Sequence, residues 1–498
     1  MKTTKISLHP EYTIAAVDQR LFGGFLEHLG RAIYQGIYQP DSIHVDKNGF
    51  RKDVLQALKA LRFTTMRYPG GNFASGYHWL DGVGPKEKRP VINDLAWCSV
   101  EPNQFGTDEF IKLCRLMDWQ PMLACNLGTG TPEEARNWVE YCNLPTGTRY
   151  SSLRNENNPG NPYNVKLWCL GNEMDGPWQL GHVPARDYAL RAQQAAKMMR
   201  DADPSIELTA SGSCTVDLPT YLEWDREVLD YMGDYADYIS LHRYATNKDG
   251  NIPEFLASIK GIDRQIEEMD AVCRFIQARK RSQKRAYLSF DEWNVWYRTT
   301  GPEFTNGRGQ FAAHLLEEEF DLSDALVVAG FLNSFFRHTD CVKMASLAQV
   351  VNAIAPILTR GDDLLLQTTY YPLLMIADRR EGTALQAKVS GPGYASKIYG
   401  QVDYVDASAI INGNKLNVFL INRNMSDENP VSIYFNGLIC EVESAEVLTG
   451  SQADSQNTFS NPNAIRNKSL TSVTVKEGMA ELVLPPLSYT VATFEIDY

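Results

Sequence analysis

The sequence has no long apolar run, no basic stripe and no paired-cysteine motif, and each absence removes a class of protein. No stretch approaches the roughly 18 consecutive apolar residues of a membrane span, so a membrane partner is not expected. Lys and Arg number 48 against 61 Asp and Glu, a net charge of −13 with the charges dispersed. Such a surface repels a phosphate backbone, which argues against nucleic acid as a partner. No GxGxxG and no GxxxxGK[ST] occurs, so nothing supports a nucleotide site. No HExxH or comparable ligand spacing occurs, so neither metal nor cofactor is expected. The nine cysteines are scattered, mostly inside apolar segments, and none forms a CxxC pair. They read as reduced, buried thiols. Met1-Lys2-Thr3-Thr4-Lys5 begins positively but no apolar run follows, which gives no secretory signal and suggests a cytoplasmic chain.

What is present is an ordinary globular chain of 498 residues, with 44% apolar and 22% charged residues, too long for one small core. Short apolar runs at 64–68, 121–125, 165–170, 206–210, 238–241 and 286–290 read as buried strands. Between them lie helical patterns. Val54, Leu55, Leu58 and Leu61 repeat at helical spacing, as do Phe110, Leu113, Cys114 and Met117. Longer helical segments fall at 133–143, 186–201 and 259–279. Alternating strands and helices predict a parallel sheet with helical crossovers. An open doubly wound sheet and a closed barrel both fit. About eight repeats, from a first strand near Phe25 to a last near Met344, favour the (β/α)₈ barrel.

After about residue 384 the helical period fades and alternating β-rich stretches take over, separated by turn signals such as Asn412-Gly413-Asn414. The expected organisation is a (β/α)₈ barrel over 19–384 and a jelly-roll-like all-β sandwich over 385–498. Residues 4–16 read as strand, and 1–18 are expected to join the sandwich.

Two acids directly follow strands: Glu173 in Leu170-Gly171-Asn172-Glu173, and Glu292 in Phe290-Asp291-Glu292-Trp293. The end of a barrel strand opens onto the site face. The two lie 119 residues apart. A βα unit takes about 30 to 40 residues, so the gap is about three units and places them on strands four and seven. A single Glu at a strand end is more often an ion-pair or cap residue. Two of them across a sugar-sized gap are what glycoside hydrolysis requires: one protonates the leaving oxygen, the other attacks or activates water. Asp175 and Asp291 are rival carboxylates. Strand alternation turns Asp291 away from Glu292, which suggests a structural role. His28 and His242, at strand ends, suit positioning or structure. The tryptophans offer faces for a sugar, although a lone Trp is more often core.

These segments resemble the clan A retaining glycosidases, and among them family 51, the intracellular α-L-arabinofuranosidases. The resemblance spans nearly the whole chain. Its carriers, in family order, are Phe22-Gly23-Gly24-Phe25-Leu26-Glu27-His28, Met66-Arg67-Tyr68-Pro69-Gly70-Gly71-Asn72-Phe73, Leu170-Gly171-Asn172-Glu173-Met174-Asp175-Gly176-Pro177-Trp178, Ser240-Leu241-His242-Arg243-Tyr244, Asp291-Glu292-Trp293-Asn294-Val295-Trp296 and Ala348-Gln349-Val350-Val351-Asn352. The resemblance implies Glu173 as acid/base and Glu292 as nucleophile. It implies that Glu27, Arg67, Asn72, Asn172, Tyr244 and Gln349 surround the furanose, with Trp97 and Trp296 nearby. It also implies release of terminal α-L-arabinofuranosyl residues from arabino-oligosaccharides, and assembly as a hexamer. A β-xylosidase or endoglucanase on the same barrel would use the same carboxylate pair. A non-catalytic sugar-binding protein would not need both Glu residues.

Overall fold

The computed structural model describes residues 3–436 and 439–497, with side chains left aside at 439 and 440. Eight parallel strands close into a barrel. In chain order they are Gly23–Phe25, Thr65–Tyr68, Gln120–Cys125, Leu167–Leu170, Glu207–Ala210, Tyr238–Ala245, Tyr287–Val295 and Val342–Ala348. Closure comes from the last strand pairing with the first, Ser346 with Gly23 and Ala348 with Phe25. Strands Thr65–Tyr68 and Leu167–Leu170 are short and wholly buried, as a parallel strand covered on both faces must be.

The surrounding helices form where the apolar period is 3.6. Lys52–Leu61 buries Val54, Leu55, Leu58 and Leu61, and stops at Arg62, whose φ of 52° is left-handed. Pro132–Asn143 starts with proline at its first position, and the Thr131 hydroxyl accepts from the Glu134 N–H. Helices Ala185–Ala202 and Ile259–Lys280 stand where the periodicity places them.

The C-terminal region holds a seven-stranded and a five-stranded sheet. Ile6, Val431, Ile433 and Leu482 from one meet Val418, Leu420, Ala492 and Phe494 from the other in a separate core. Residues 4–16 do not form a single strand. Thr4–Ser7 lies between Lys388–Ser390 and Asn429–Tyr434 in the smaller sheet, and Thr13–Ala16 pairs with Thr383–Leu385 in the larger. Pro10, which has no N–H, interrupts the run, and the Tyr12 N–H turns back to the His9 carbonyl. Of the described cysteines all eight are free, seven buried and Cys98 half-buried. No helix among the described residues is long and apolar enough to cross a membrane.

Helix Leu322–Arg337 joins barrel and sheets. Every residue from Leu322 to Phe336 is buried, so no polar face betrays its period. At its far end Asp406 accepts from Asn333 Nδ2 at 2.7 Å and Arg337 Nη1 at 3.0 Å, and from Arg423 Nη2 at 2.8 Å. Burial opposes the charge, yet the two guanidinium groups hold the Asp406 carboxyl below its usual range. Asp406→Ala takes the carboxylate from Arg423 and leaves Arg337 only Asp263, at 3.0 Å, and is expected to cost about 3 kcal/mol in urea unfolding. Because the folded carboxyl titrates low, this contribution is complete above the ordinary Asp range and is lost as the pH falls from there through the lower folded value.

Candidate active site

Glu173 lies three residues beyond barrel strand four, and Glu292 inside strand seven. The turn holding Glu173 is tight. Gly171 has φ +88° and Glu173 itself +44°, a conformation that costs a non-glycine residue about 1 to 2 kcal/mol. The Gly176 N–H closes the turn onto the Glu173 carbonyl at 2.8 Å. Carboxylate oxygens of Glu173 and Glu292, and a ring nitrogen of His242, all lie within 4.8 Å of one another. That spacing is shorter than the roughly 6.5–9.5 Å that leaves room for an attacking water between two carboxyls.

Glu292 is held from two sides. Arg67 Nη1 donates to Oε1 at 2.8 Å and the Tyr244 hydroxyl to Oε2 at 2.8 Å. Arg67 is buried against the Phe25 ring, its Cζ 4.5 Å from the centroid, and its Nη2 donates to Asn172 Oδ1 at 2.6 Å. Burial opposes the guanidinium charge, but Asp291 and Glu292 more than offset this and keep it positive. Burial and the adjacent Glu292 charge push the Tyr244 phenol up, so it stays a donor. With its oxygen fixed by Arg67, Asn172 has a buried Nδ2 with no acceptor among the described residues.

A second cluster is built around Glu27. Its Oε1 accepts from the Phe73 N–H and from Trp97 Nε1, each at 3.0 Å. Its Oε2 accepts from Gln349 Nε2 at 3.0 Å, while its own N–H donates to Gln349 Oε1 at 2.9 Å. Burial, then the charge of Glu292, raises the Glu27 carboxyl to about 8.

The glycines between the clusters sit where neighbouring groups come too close for a side chain. A Cβ on Gly70 would sit 2.8 Å from Glu27 Cγ, and one on Gly71 2.7 Å from Glu292 Oε1. Gly71→Ala is therefore expected to displace the carboxylate and lower kcat/KM about 100-fold, with some loss of thermal stability from the same clash. Steady-state kinetics beside a melting curve check this.

Arg67, Asn172, Glu173, Tyr244 and Glu292 thus meet at one mouth, with Glu27, Trp97 and Gln349 adjoining them through the 70–73 segment. Asn72 is half-buried and opens the 3₁₀ turn Asn72–Gly76 immediately after Gly71. Trp296 stands edge-on to Tyr244, ring centroids 5.5 Å apart, and its Nε1 donates to the Thr299 carbonyl.

Three groups carry more than the sequence indicated. The register of strand seven shifts between Phe290 and Trp293, which breaks the alternation expected to turn Asp291 away. Asp291 instead lies beneath the site, 3.4 Å from Arg67 Nε and 3.2 Å from His242 Nε2. His242 presents Nδ1 to Glu173 Oε1 at 2.9 Å. Trp178, 51% exposed, donates from Nε1 to Glu173 Oε2 at 2.7 Å. Its position five residues after Glu173 was the only available signal.

An eight-stranded barrel that brings a carboxylate after strand four within 4.8 Å of one on strand seven has the arrangement a retaining glycoside hydrolase uses. The chain matches the family models described as the α-L-arabinofuranosidase 1 domain over residues 57–264 and the α-L-arabinofuranosidase C-terminal domain over residues 291–488. It is 44% identical to the intracellular exo-α-(1→5)-L-arabinofuranosidase of Acetivibrio thermocellus over 86% of either chain. To the enzyme of the same name from Streptomyces lividans it is 41% identical, over 98% of this chain and 75% of that one. The solved structure of AbfB, a family 51 α-L-arabinofuranosidase from Bifidobacterium longum, superposes with a TM-score of 0.95 at 34% identity, covering 99% of this chain and 100% of that one. The chain belongs to the family 51 α-L-arabinofuranosidases.

Proposed function

We propose that this chain removes terminal non-reducing α-L-arabinofuranosyl residues from arabino-oligosaccharides by double displacement. The observation that carries the reading is the spacing of Glu173 and Glu292, whose oxygens lie within 4.8 Å across the barrel mouth. In the first half, a Glu292 oxygen attacks the anomeric carbon while Glu173 gives its proton to the departing glycosidic oxygen. Arg67 and Tyr244 aim the attacking carboxylate. The product of this half is an arabinosyl ester on Glu292. In the second half, Glu173 takes a proton from water as the water oxygen attacks the same carbon, and the ester bond to Glu292 breaks.

Asn172 Nδ2 is the free donor for the hydroxyl beside the anomeric carbon, where a hydrogen bond strengthens as charge develops. Glu27, Asn72 and Gln349 take the remaining hydroxyls, and the Trp97 and Trp296 faces enclose the ring. The chain works in the cytoplasm as a homo-oligomer of six subunits, a reading supported by the intracellular naming of its relatives and by the family resemblance. Light scattering of the purified protein checks the six.

The discriminating assay is a panel of nitrophenyl glycosides. The α-L-arabinofuranoside is expected to be turned over with a kcat/KM at least about 100-fold above the β-D-xyloside, the scale on which misplacing a reacting centre is felt. Equal or reversed preference overturns the substrate assignment. Reducing-end-labelled arabino-oligosaccharides are expected to shorten one residue at a time, and release of internal fragments contradicts exo action.

A further inference from the structure

Asp291 takes no part in the two half-reactions, yet it is among the most enclosed charges of the barrel, 1% exposed. Its Oδ1 faces His242 Nε2 at 3.2 Å, its Oδ2 faces Arg67 Nε at 3.4 Å, and the Cys169 thiol approaches Oδ2 at 3.7 Å. On the other side of the imidazole, Nδ1 faces Glu173 Oε1 at 2.9 Å and Glu292 Oε2 at 3.6 Å. Both ring nitrogens therefore point at carboxylate oxygens, which only accept when ionised. A ring with a hydrogen on each nitrogen, the imidazolium, satisfies both.

The neighbourhood agrees. Glu173 and Asp175 approach from the loop after strand four, Asp291 and Glu292 from strand seven, and Arg67 from strand two. Cys214, after strand five, is kept a neutral thiol by burial and the nearby acids. From helix Ile259–Lys280 only the neutral Gln265 reaches His242, donating to its carbonyl at 3.0 Å. Among the described residues facing the ring, Arg67 is thus the one other cation beside four acids. Burial disfavours a charged His242, but Glu292, Asp291 and Glu173 together hold it well above the ordinary histidine range. Asp291, facing Arg67 and His242, is held low despite its own burial.

We infer that Asp291 is a positioning residue acting through His242, pinning the imidazolium so that its Nδ1–H is committed to Glu173 Oε1 and the proton that Glu173 exchanges resides on Oε2. Oε2 is the oxygen on the Trp178 side, where the half-exposed indole can give way to a leaving group. The inference rests on Glu173 and Glu292 being the working pair.

The test uses the intact enzyme labelled with ¹⁵N-histidine, with the His242 signals assigned by their loss in His242→Gln. In the wild type both His242 nitrogens are expected to keep imidazolium shifts to a pH above the ordinary histidine range. In Asp291→Asn the charge is expected to be lost at a pH lower by about 1 to 3 units, since one facing anion is gone. Asp291→Asn is also expected to lower kcat/KM about 10- to 100-fold in the wild-type background. In the His242→Gln background the same change is expected to cost less than about threefold, because the intermediary is already absent. A neutral His242 imidazole in the wild type at pH 6 overturns the inference even if Asp291→Asn does not fold. Losses that multiply in the double variant overturn it as well. Failure of the working pair itself would appear separately, as undiminished turnover in Glu292→Ala.

Discussion

Glu292→Ala is expected to lower turnover of an aryl α-L-arabinofuranoside by about 10⁴-fold or more, the scale on which loss of a covalent nucleophile is felt. The carboxylate is fixed by Arg67 and Tyr244, each at 2.8 Å, in the position from which it would attack. Truncation leaves a small hollow facing the Arg67 guanidinium and the His242 ring. An anion the size of azide suits that hollow and attacks from the face where the carboxylate stood. The product expected is therefore the arabinofuranosyl azide of inverted configuration. A retained azide, or unchanged hydrolysis, would remove Glu292 from the nucleophile role.

The second large effect is expected at Glu173. Glu173→Ala removes the proton donor for the glycosidic oxygen and the base for water, steps worth about 10²- to 10⁴-fold each. Substrates with a poor leaving group, such as an arabinobioside, are expected to lose most. A dinitrophenyl arabinofuranoside, whose leaving group departs unprotonated, is expected to form the ester on Glu292 normally and then stall. Azide, which needs no base, is expected to resolve that ester and give the retained azide. The two variants thus give azides of opposite configuration from one substrate. Equal losses across leaving groups would contradict the role of Glu173.

Much of this site was legible because strands and acids obey simple rules. Buried parallel strands read as short apolar runs between turns, and this located six of the eight barrel strands directly. The spacing of Glu173 and Glu292 then set their places at strands four and seven. Where a rule failed, a physical cause is visible. Helix Leu322–Arg337 is buried on all sides, so amphipathic periodicity, the usual signal, is missing from it. Unbroken alternation would turn Asp291 away from Glu292, and a register shift in strand seven breaks it. At Gly70 and Gly71 the constraint is the approach of Glu27 and Glu292 to the backbone, which sequence spacing does not encode. Trp178 and His242 could be listed as neighbours of the site, but hydrogen bonds to the two oxygens of Glu173 are three-dimensional facts that no spacing encodes. The network of Glu27, Trp97 and Gln349, drawn from three distant segments, was reached only through the family resemblance.

The stereochemical course of transfer to methanol follows most directly from the short distance between the two carboxylates. With a nitrophenyl α-L-arabinofuranoside in aqueous methanol, proton NMR is expected to show methyl α-L-arabinofuranoside as the first-formed glycoside. The β anomer as the initial product would mean a single displacement, and Glu292 would then not form the bond assigned to it.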